Sequence, residues 1–146
     1  MQMSTHRILV LNGANMNTLG KRDTGALGAV TLSSIIEDLT GYGASRDTEI
    51  TCVQSNSECE LIELIQRAEE TYEGIIFNPG SFVHYSIGLR EALDGSPLPC
   101  VEVHLANFFR KPENKSVLAA SCRAVVCGFG PASYKAALDG LLYILK

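Results

Sequence analysis

Ile8-Leu9-Val10-Leu11-Asn12-Gly13-Ala14-Asn15-Met16-Asn17-Thr18-Leu19-Gly20-Lys21-Arg22 is the stretch from which the fold is read. Its opening run is apolar without alternation, so Arg7 to Asn12 reads as a strand covered on both faces. The polar connection that follows runs to Gly28, ahead of Thr31-Leu32-Ser33-Ser34-Ile35-Ile36, which opens like a capped helix. Connections between a strand and a helix usually take about two to six residues, so this one reads as a functional loop. Asparagines, glycines and the Lys21-Arg22 pair supply donors, acceptors and backbone freedom. They do so where a parallel sheet presents its ligand-binding edge.

The same grammar repeats along the chain. Thr31 caps a helix through about Leu39, with Gly41 and Gly43 as stop signals. Glu49 to Gln54 is the second strand, and Ser57 with Glu60 fits a capping box before a helix that ends around Tyr72. Gly74 to Asn78 is the third strand, after which Asn78-Pro79-Gly80-Ser81 turns into a helix reaching roughly Leu93. Cys100 to His104 and Ser121 to Cys127 are the fourth and fifth strands, separated by the polar segment Asn107 to Lys115. Ser133 to Leu145 gives a last amphipathic helix. Five strand–helix alternations without repeat or linker predict one α/β domain over residues 1–146, with a parallel sheet covered on both faces. The flavodoxin-like strand order 2-1-3-4-5 is expected.

At 146 residues and 46% apolar content the chain can bury a real core. A formal charge of -4 gives no general reason to bind nucleic acid or an anionic membrane. Met1 to Arg7 is too short and polar for a signal peptide, and no apolar run approaches the roughly 20 residues of a membrane span. A cytoplasmic protein is expected. Cys52, Cys59, Cys100, Cys122 and Cys127 show no zinc-like spacing and read as buried free thiols, so no metal site is expected.

In such a sheet, ligands sit outside the carboxyl ends of the strands. There the sequence places Asn12 and Asn15 after strand one, Asn78 after strand three and His104 after strand four, with His84 a few residues past strand three. Glu102 lies two residues before His104, so both side chains share a face and the carboxylate can orient the imidazole. Singly, each asparagine reads more readily as a turn former. Arg22, Arg110, Lys111 and Lys115 read as solvated charges. Gly128-x-Gly130 lacks the third glycine of a dinucleotide fingerprint. Together, the strand ends favour a site for a polar, oxygen-rich small molecule. Two mechanisms suit it: proton abstraction beside a carbonyl with enolate stabilisation, or binding without chemistry.

The ordered set Leu11-Asn12-Gly13-x-Asn15, Gly20-x-Arg22, Gln54-Ser55-Asn56, Asn78-Pro79 with His84, Leu89-Arg90-Glu91-Ala92, Val101-Glu102-Val103-His104-Leu105 and Gly128-Phe129-Gly130 with Tyr134 resembles type II 3-dehydroquinate dehydratase over essentially the whole chain. The resemblance implies a flavodoxin-like subunit without metal or organic cofactor, assembled as a dodecamer of four trimers. It implies trans elimination of water from 3-dehydroquinate through an enolate, in the shikimate or quinate pathway. By that resemblance Asn15 helps hold the water that stabilises the enolate, and His104 is the general acid. Asn78 and His84 contact substrate, Leu105 and Ala106 bind its carboxylate through backbone, and Glu91 is contributed across the trimer interface. Arg22 lowers the pKa of the catalytic base, and a cation of the segment carrying Arg110 meets the substrate.

The sequence departs from the family pattern at the base itself. Where the family has Arg-Glu-Pro-x-x-Tyr-Gly, this chain reads Arg22-Asp23-Thr24-Gly25-Ala26-Leu27-Gly28. Leu27 stands in the tyrosine's place and cannot accept a proton. Losing a positioned general base costs about 100- to 10,000-fold in rate. Ala106 replaces the usual serine, Glu91 the usual aspartate, and the segment from Asn107 to Ser116 is about two residues short by the same comparison. Weak or altered dehydratase activity is therefore expected. A lyase for another cyclic hydroxy acid and a non-catalytic paralogue that binds a quinate-like ligand are the alternatives.

Overall fold

The structure, a computed structural model, describes residues 5–21 and 29–146. Five parallel strands form one sheet: β1 (His6–Ala14), β2 (Thr48–Gln54), β3 (Gly74–Gly80), β4 (Cys100–His104) and β5 (Ala124–Cys127). Their order is β2-β1-β3-β4-β5, the flavodoxin-like order expected. Register runs Val10↔Cys52 and Val10↔Ile76 across the centre, and Glu102↔Val125 at the far side.

Four α-helices cover the two faces: α1 (Leu32–Ala44), α2 (Glu58–Arg67), α3 (Ile87–Asp94) and α4 (Ala132–Ile144). The apolar runs of the central strands divide between two cores. Ile8, Val10, Ile76, Val101 and Val103 face Ile35 and Leu39 of α1 and Ala137, Leu138 and Leu141 of α4. Leu9, Leu11, Ile75 and Phe77 face Leu61 and Ile65 of α2 and Leu89 and Leu93 of α3. Alternate residues of one strand thus feed opposite cores, which is why the sequence shows no polar alternation. Among the described residues no helix is long and apolar enough to cross a membrane.

Several local expectations change. First, Gly41 and Gly43 do not end α1, which runs to Ala44; Gly43 is there because a Cβ would stand 2.8 Å from Ile50 Cγ1. The full reciprocal capping box is at Thr31 and Ser34, whereas Ser57 only accepts from the Glu60 N–H. Second, β5 starts at Ala124, because residues 119–121 form a 3-10 turn. Third, of the five cysteines only Cys100 is buried: Cys52, Cys122 and Cys127 are half-buried, and Cys59, on the outer side of α2, is exposed.

The fourth change bears on the site. β3 continues through Pro79 to Gly80, Ser81–His84 is a 3-10 turn, and a fresh helix begins after Ser86, whose hydroxyl accepts from the Leu89 N–H at 3.1 Å. Gly80 interrupts the path because it adopts φ 61°, ψ −143°, a region open essentially to glycine alone. A Cβ there would lie 2.4 Å from the Ala14 carbonyl oxygen, and one on Gly13 would lie 2.1 Å from that of Pro79. The ends of β1 and β3 are therefore in backbone-to-backbone contact. Gly80→Ala combines backbone strain with an unavoidable clash and is expected to cost about 3 kcal/mol, read as a lower urea midpoint at unchanged slope.

Candidate active site

The floor of the site is a buried polar bridge. Tyr134, in the first turn of α4 and 1% exposed, donates its hydroxyl to Asn12 Oδ1 at 2.6 Å and accepts from Asn78 Nδ2 at 3.0 Å. Asn78 Oδ1 in turn accepts from the Gly80 N–H at 3.3 Å. Both asparagines are almost wholly buried, as their partners allow. Burial pushes the Tyr134 hydroxyl well above its ordinary value, against a smaller lowering by Asn78. With donor and acceptor engaged and its ionisation suppressed, Tyr134 is a tie and not a base.

Asn15 sits above that floor in the left-handed region, at φ 67°, which asparagine tolerates. Its backbone is pinned from the end of β2: the Asn15 N–H donates to Asn56 Oδ1 at 2.8 Å. Gln54 Nε2 donates to the same oxygen at 3.0 Å and to the Gly13 carbonyl at 3.1 Å. Thr18 closes the turn through its N–H and hydroxyl, both on the Asn15 carbonyl.

His104 ends β4, and its Nε2 stands 2.6 Å from Glu102 Oε2. A carboxylate only accepts, so Nε2 carries the proton and Nδ1 is the ring nitrogen left for a ligand. Glu102 is fully buried and its other oxygen accepts from the Ser116 hydroxyl at 2.7 Å. Phe108 stacks on the His104 ring with centroids 4.5 Å apart at 14°, and its centroid lies 5.5 Å from that of His84. The i, i+2 relation read from the sequence therefore places Glu102 on His104 as expected.

These groups meet in a cleft of about 300 Å³ lined by Asn15, Met16, Ser81, His84, His104 and Phe108, with Ala14, Gly80 and Val83. Its size is at the lower end for small-molecule sites. A larger groove of about 470 Å³ between α1 and α4 is lined by paired surface charges, with Lys135 on Asp38 at 2.8 Å, and gathers no reactive set. Leu105 and Ala106 follow His104 directly, and among the described residues neither backbone N–H donates a hydrogen bond. Asn78 lies beneath the cleft and does not line it. Glu91 is exposed on α3, and Arg110 on the 3-10 turn Phe108–Arg110; neither lines the cleft of its own chain. Arg22 and Leu27 fall outside the described residues. Among the described residues no group of three or more His, Cys, Asp and Glu gathers as a metal site would require.

Ser81, Phe108 and Ser116 went unread in the sequence. Each is an isolated residue in an irregular segment, with no periodicity to mark its direction.

Fold and site together define an α/β protein that presents amides and an oriented imidazole at the carboxyl edge of a flavodoxin-like sheet. The family described as dehydroquinase class II matches residues 6–142, and the chain belongs to it. A protein of Carboxydothermus hydrogenoformans named 3-dehydroquinate dehydratase is 45% identical over 142 residues, covering 96% of this chain and 92% of the relative. One of the same name from Deinococcus radiodurans is 41% identical, covering 95% and 99%. The crystal structure of type II dehydroquinase from Butyrivibrio crossotus superposes with a TM-score of 0.88 at 33% identity, covering 94% and 98%.

Tyr134→Phe strands Asn12 Oδ1 and is expected to cost about 2 kcal/mol. The native tyrosine keeps its proton above pH 10, where an unfolded one at 10.0 loses it, so the native state binds the extra proton and stability falls as pH rises past 10. That loss is at most about 1.4 kcal/mol per pH unit and is absent from the phenylalanine variant. Burial also pushes the Cys52 thiol up to about 12, with the same sign from pH 9, but this is common to both proteins. Urea melts from pH 8 to 11 should show the gap between wild type and variant narrowing above pH 10.

Proposed function

We propose that the protein is a 3-dehydroquinate dehydratase acting in the cytoplasm, with turnover limited by Leu27. The observation that carries this reading is the buried Glu102–His104 pair at the mouth of a cleft shared with Asn15, in a chain of the class II dehydroquinase family. Substrate enters with its carboxylate on the N–H groups of Leu105 and Ala106, which donate to no partner among the described residues. A proton leaves the carbon beside the carbonyl, and the electrons pass to the carbonyl oxygen as an enolate. Asn15, fixed by Asn56, helps hold the water that hydrogen-bonds that oxygen. The enolate then expels the hydroxyl, which leaves as water on taking the Nδ1 proton of His104 in its imidazolium form; the ring is left neutral with Nε2–H on Glu102, and the product is 3-dehydroshikimate. Asn78 supports the site from below through Tyr134, His84 contacts substrate from the 3-10 turn, and Glu91 reaches the site of a neighbouring subunit in a dodecamer of four trimers. Exposed Tyr85 and Ile87, close to Glu91 in the chain, suit such an interface. Arg22 and Arg110 supply positive charge for the base and the anionic substrate.

The base is the open position. Tyr134 is a buried tie, and Tyr85, packed edge-on to Phe82 at 6.0 Å, does not line the cleft. The candidates left to take the proton are Asp23, a group from a neighbouring subunit, or a lysine. A second reading, a paralogue that binds a quinate-like ligand without turning it over, is favoured by Leu27 alone.

Turnover is read from the ultraviolet absorbance of the conjugated enone formed from 3-dehydroquinate. Wild type should show slow formation abolished by His104→Ala, and Leu27→Tyr should raise kcat about 100-fold or more. Ligand binding with no turnover in wild type and no gain in Leu27→Tyr would replace the dehydratase reading with the binding one.

A further inference from the structure

We propose that Ser116 is a positioning residue for the general acid, acting on His104 through Glu102. The inference rests on the dehydratase reading for its kinetic consequence, but not for its geometry.

The Ser116 hydroxyl has one proton and two lone pairs. The N–H groups of Leu118 and Ala119 donate to it at 3.1 Å and 3.0 Å, occupying its acceptor side. Its proton is thereby directed to Glu102 Oε1, 2.7 Å away. A terminal carboxylate torsion is otherwise soft and roughly two-fold. Held at Oε1, Glu102 presents Oε2 to His104 Nε2, which keeps one ring proton on Nε2 and turns Nδ1 to the cleft, so that the proton the imidazolium form donates is the one on Nδ1. In water such an arrangement would exchange freely; at a fully buried carboxylate it is fixed.

Ser116 also explains how the segment after β4 serves the site. Phe108 near its start stacks on the His104 ring, and Ser116 at its end holds the partner of that ring. Asn114 ties the two ends, donating from Nδ2 to the Phe108 carbonyl at 2.7 Å, and the Val117 N–H anchors the exit on the Val83 carbonyl at 2.9 Å. The segment that carries Arg110, Lys111 and Lys115 is thus fastened at both ends to the same imidazole. An anion drawn to those cations meets a proton donor whose orientation the segment itself sets.

A purely structural role would be the turn that Ser116 makes with Leu118 and Ala119, and the test must separate the two. The chain has three histidines, so ring ¹⁵N shifts of the neutral imidazoles resolve His104. Wild type and Ser116→Thr should hold a single Nε2–H tautomer at His104, and Ser116→Ala should show a mixture. Ser116→Cys, nearly isosteric and a weak donor, serves the same comparison if the alanine variant does not fold. In 3-dehydroquinate turnover, Ser116→Ala should lower kcat about 10-fold with KM little changed, Ser116→Thr should restore it, and Ser116→Ala should cost nothing further in a Glu102→Gln background. A retained single tautomer in Ser116→Ala, or a loss of kcat that adds to that of Glu102→Gln, overturns the proposal. If wild type turns nothing over, the dehydratase reading fails by itself while the tautomer measurement still decides the role of Ser116.

Discussion

One hydroxyl ties the carboxyl ends of the two central strands together. Tyr134 comes from α4, the last element of the chain, and bridges Asn12 on β1 to Asn78 on β3. Two buried amides at adjacent strand ends would each carry a desolvation cost of about 1–3 kcal/mol without partners, and one phenol satisfies an acceptor on one and a donor on the other. The same two strands touch through Gly13 and Gly80, where no side chain fits. One side of the cleft is carried on that junction: Asn15 just beyond β1, Ser81 and His84 just beyond β3. The rigidity of the floor is what allows short irregular turns to hold reactive groups in fixed places.

Above the floor, orientation is imported from outside the two strands. The end of β2 fixes Asn15 through Gln54 and Asn56, and the segment after β4 fixes His104 through Phe108, Glu102 and Ser116. The groups to which we assign enolate stabilisation and protonation of the departing hydroxyl are thus locked in place. The half of the reaction that removes the proton has Leu27 where the family pattern has tyrosine. The weak turnover we propose rests on this division, since preorganised electrostatics lowers the barrier even without an optimal base.

The sheet was legible because continuous apolar runs admit one reading, strands buried on both faces, and the alternation with helices then restricts the order. Glu102 and His104 were legible because a spacing of two on a strand fixes a common face. Asn12 was grouped with the polar strand ends and read singly as a turn former; its actual role, a buried amide held by Tyr134, was not legible because that partner lies 122 positions along the chain. Gly43 looked like a helix stop because sequence shows its permissiveness and not the Ile50 side chain that needs the space. Gly80 turned an expected helix start into a strand end, and Ser116 gave no signal because irregular segments have no period from which to infer direction.

The most direct measurement is a crystal structure of the protein with 3-dehydroshikimate bound. The account predicts the ligand in the cleft between Asn15 and His104, its carboxylate on the Leu105 and Ala106 N–H groups and its ring within hydrogen-bonding reach of the His104 imidazole. Occupancy of the groove between α1 and α4 instead, or an empty cleft at saturating ligand, would contradict it.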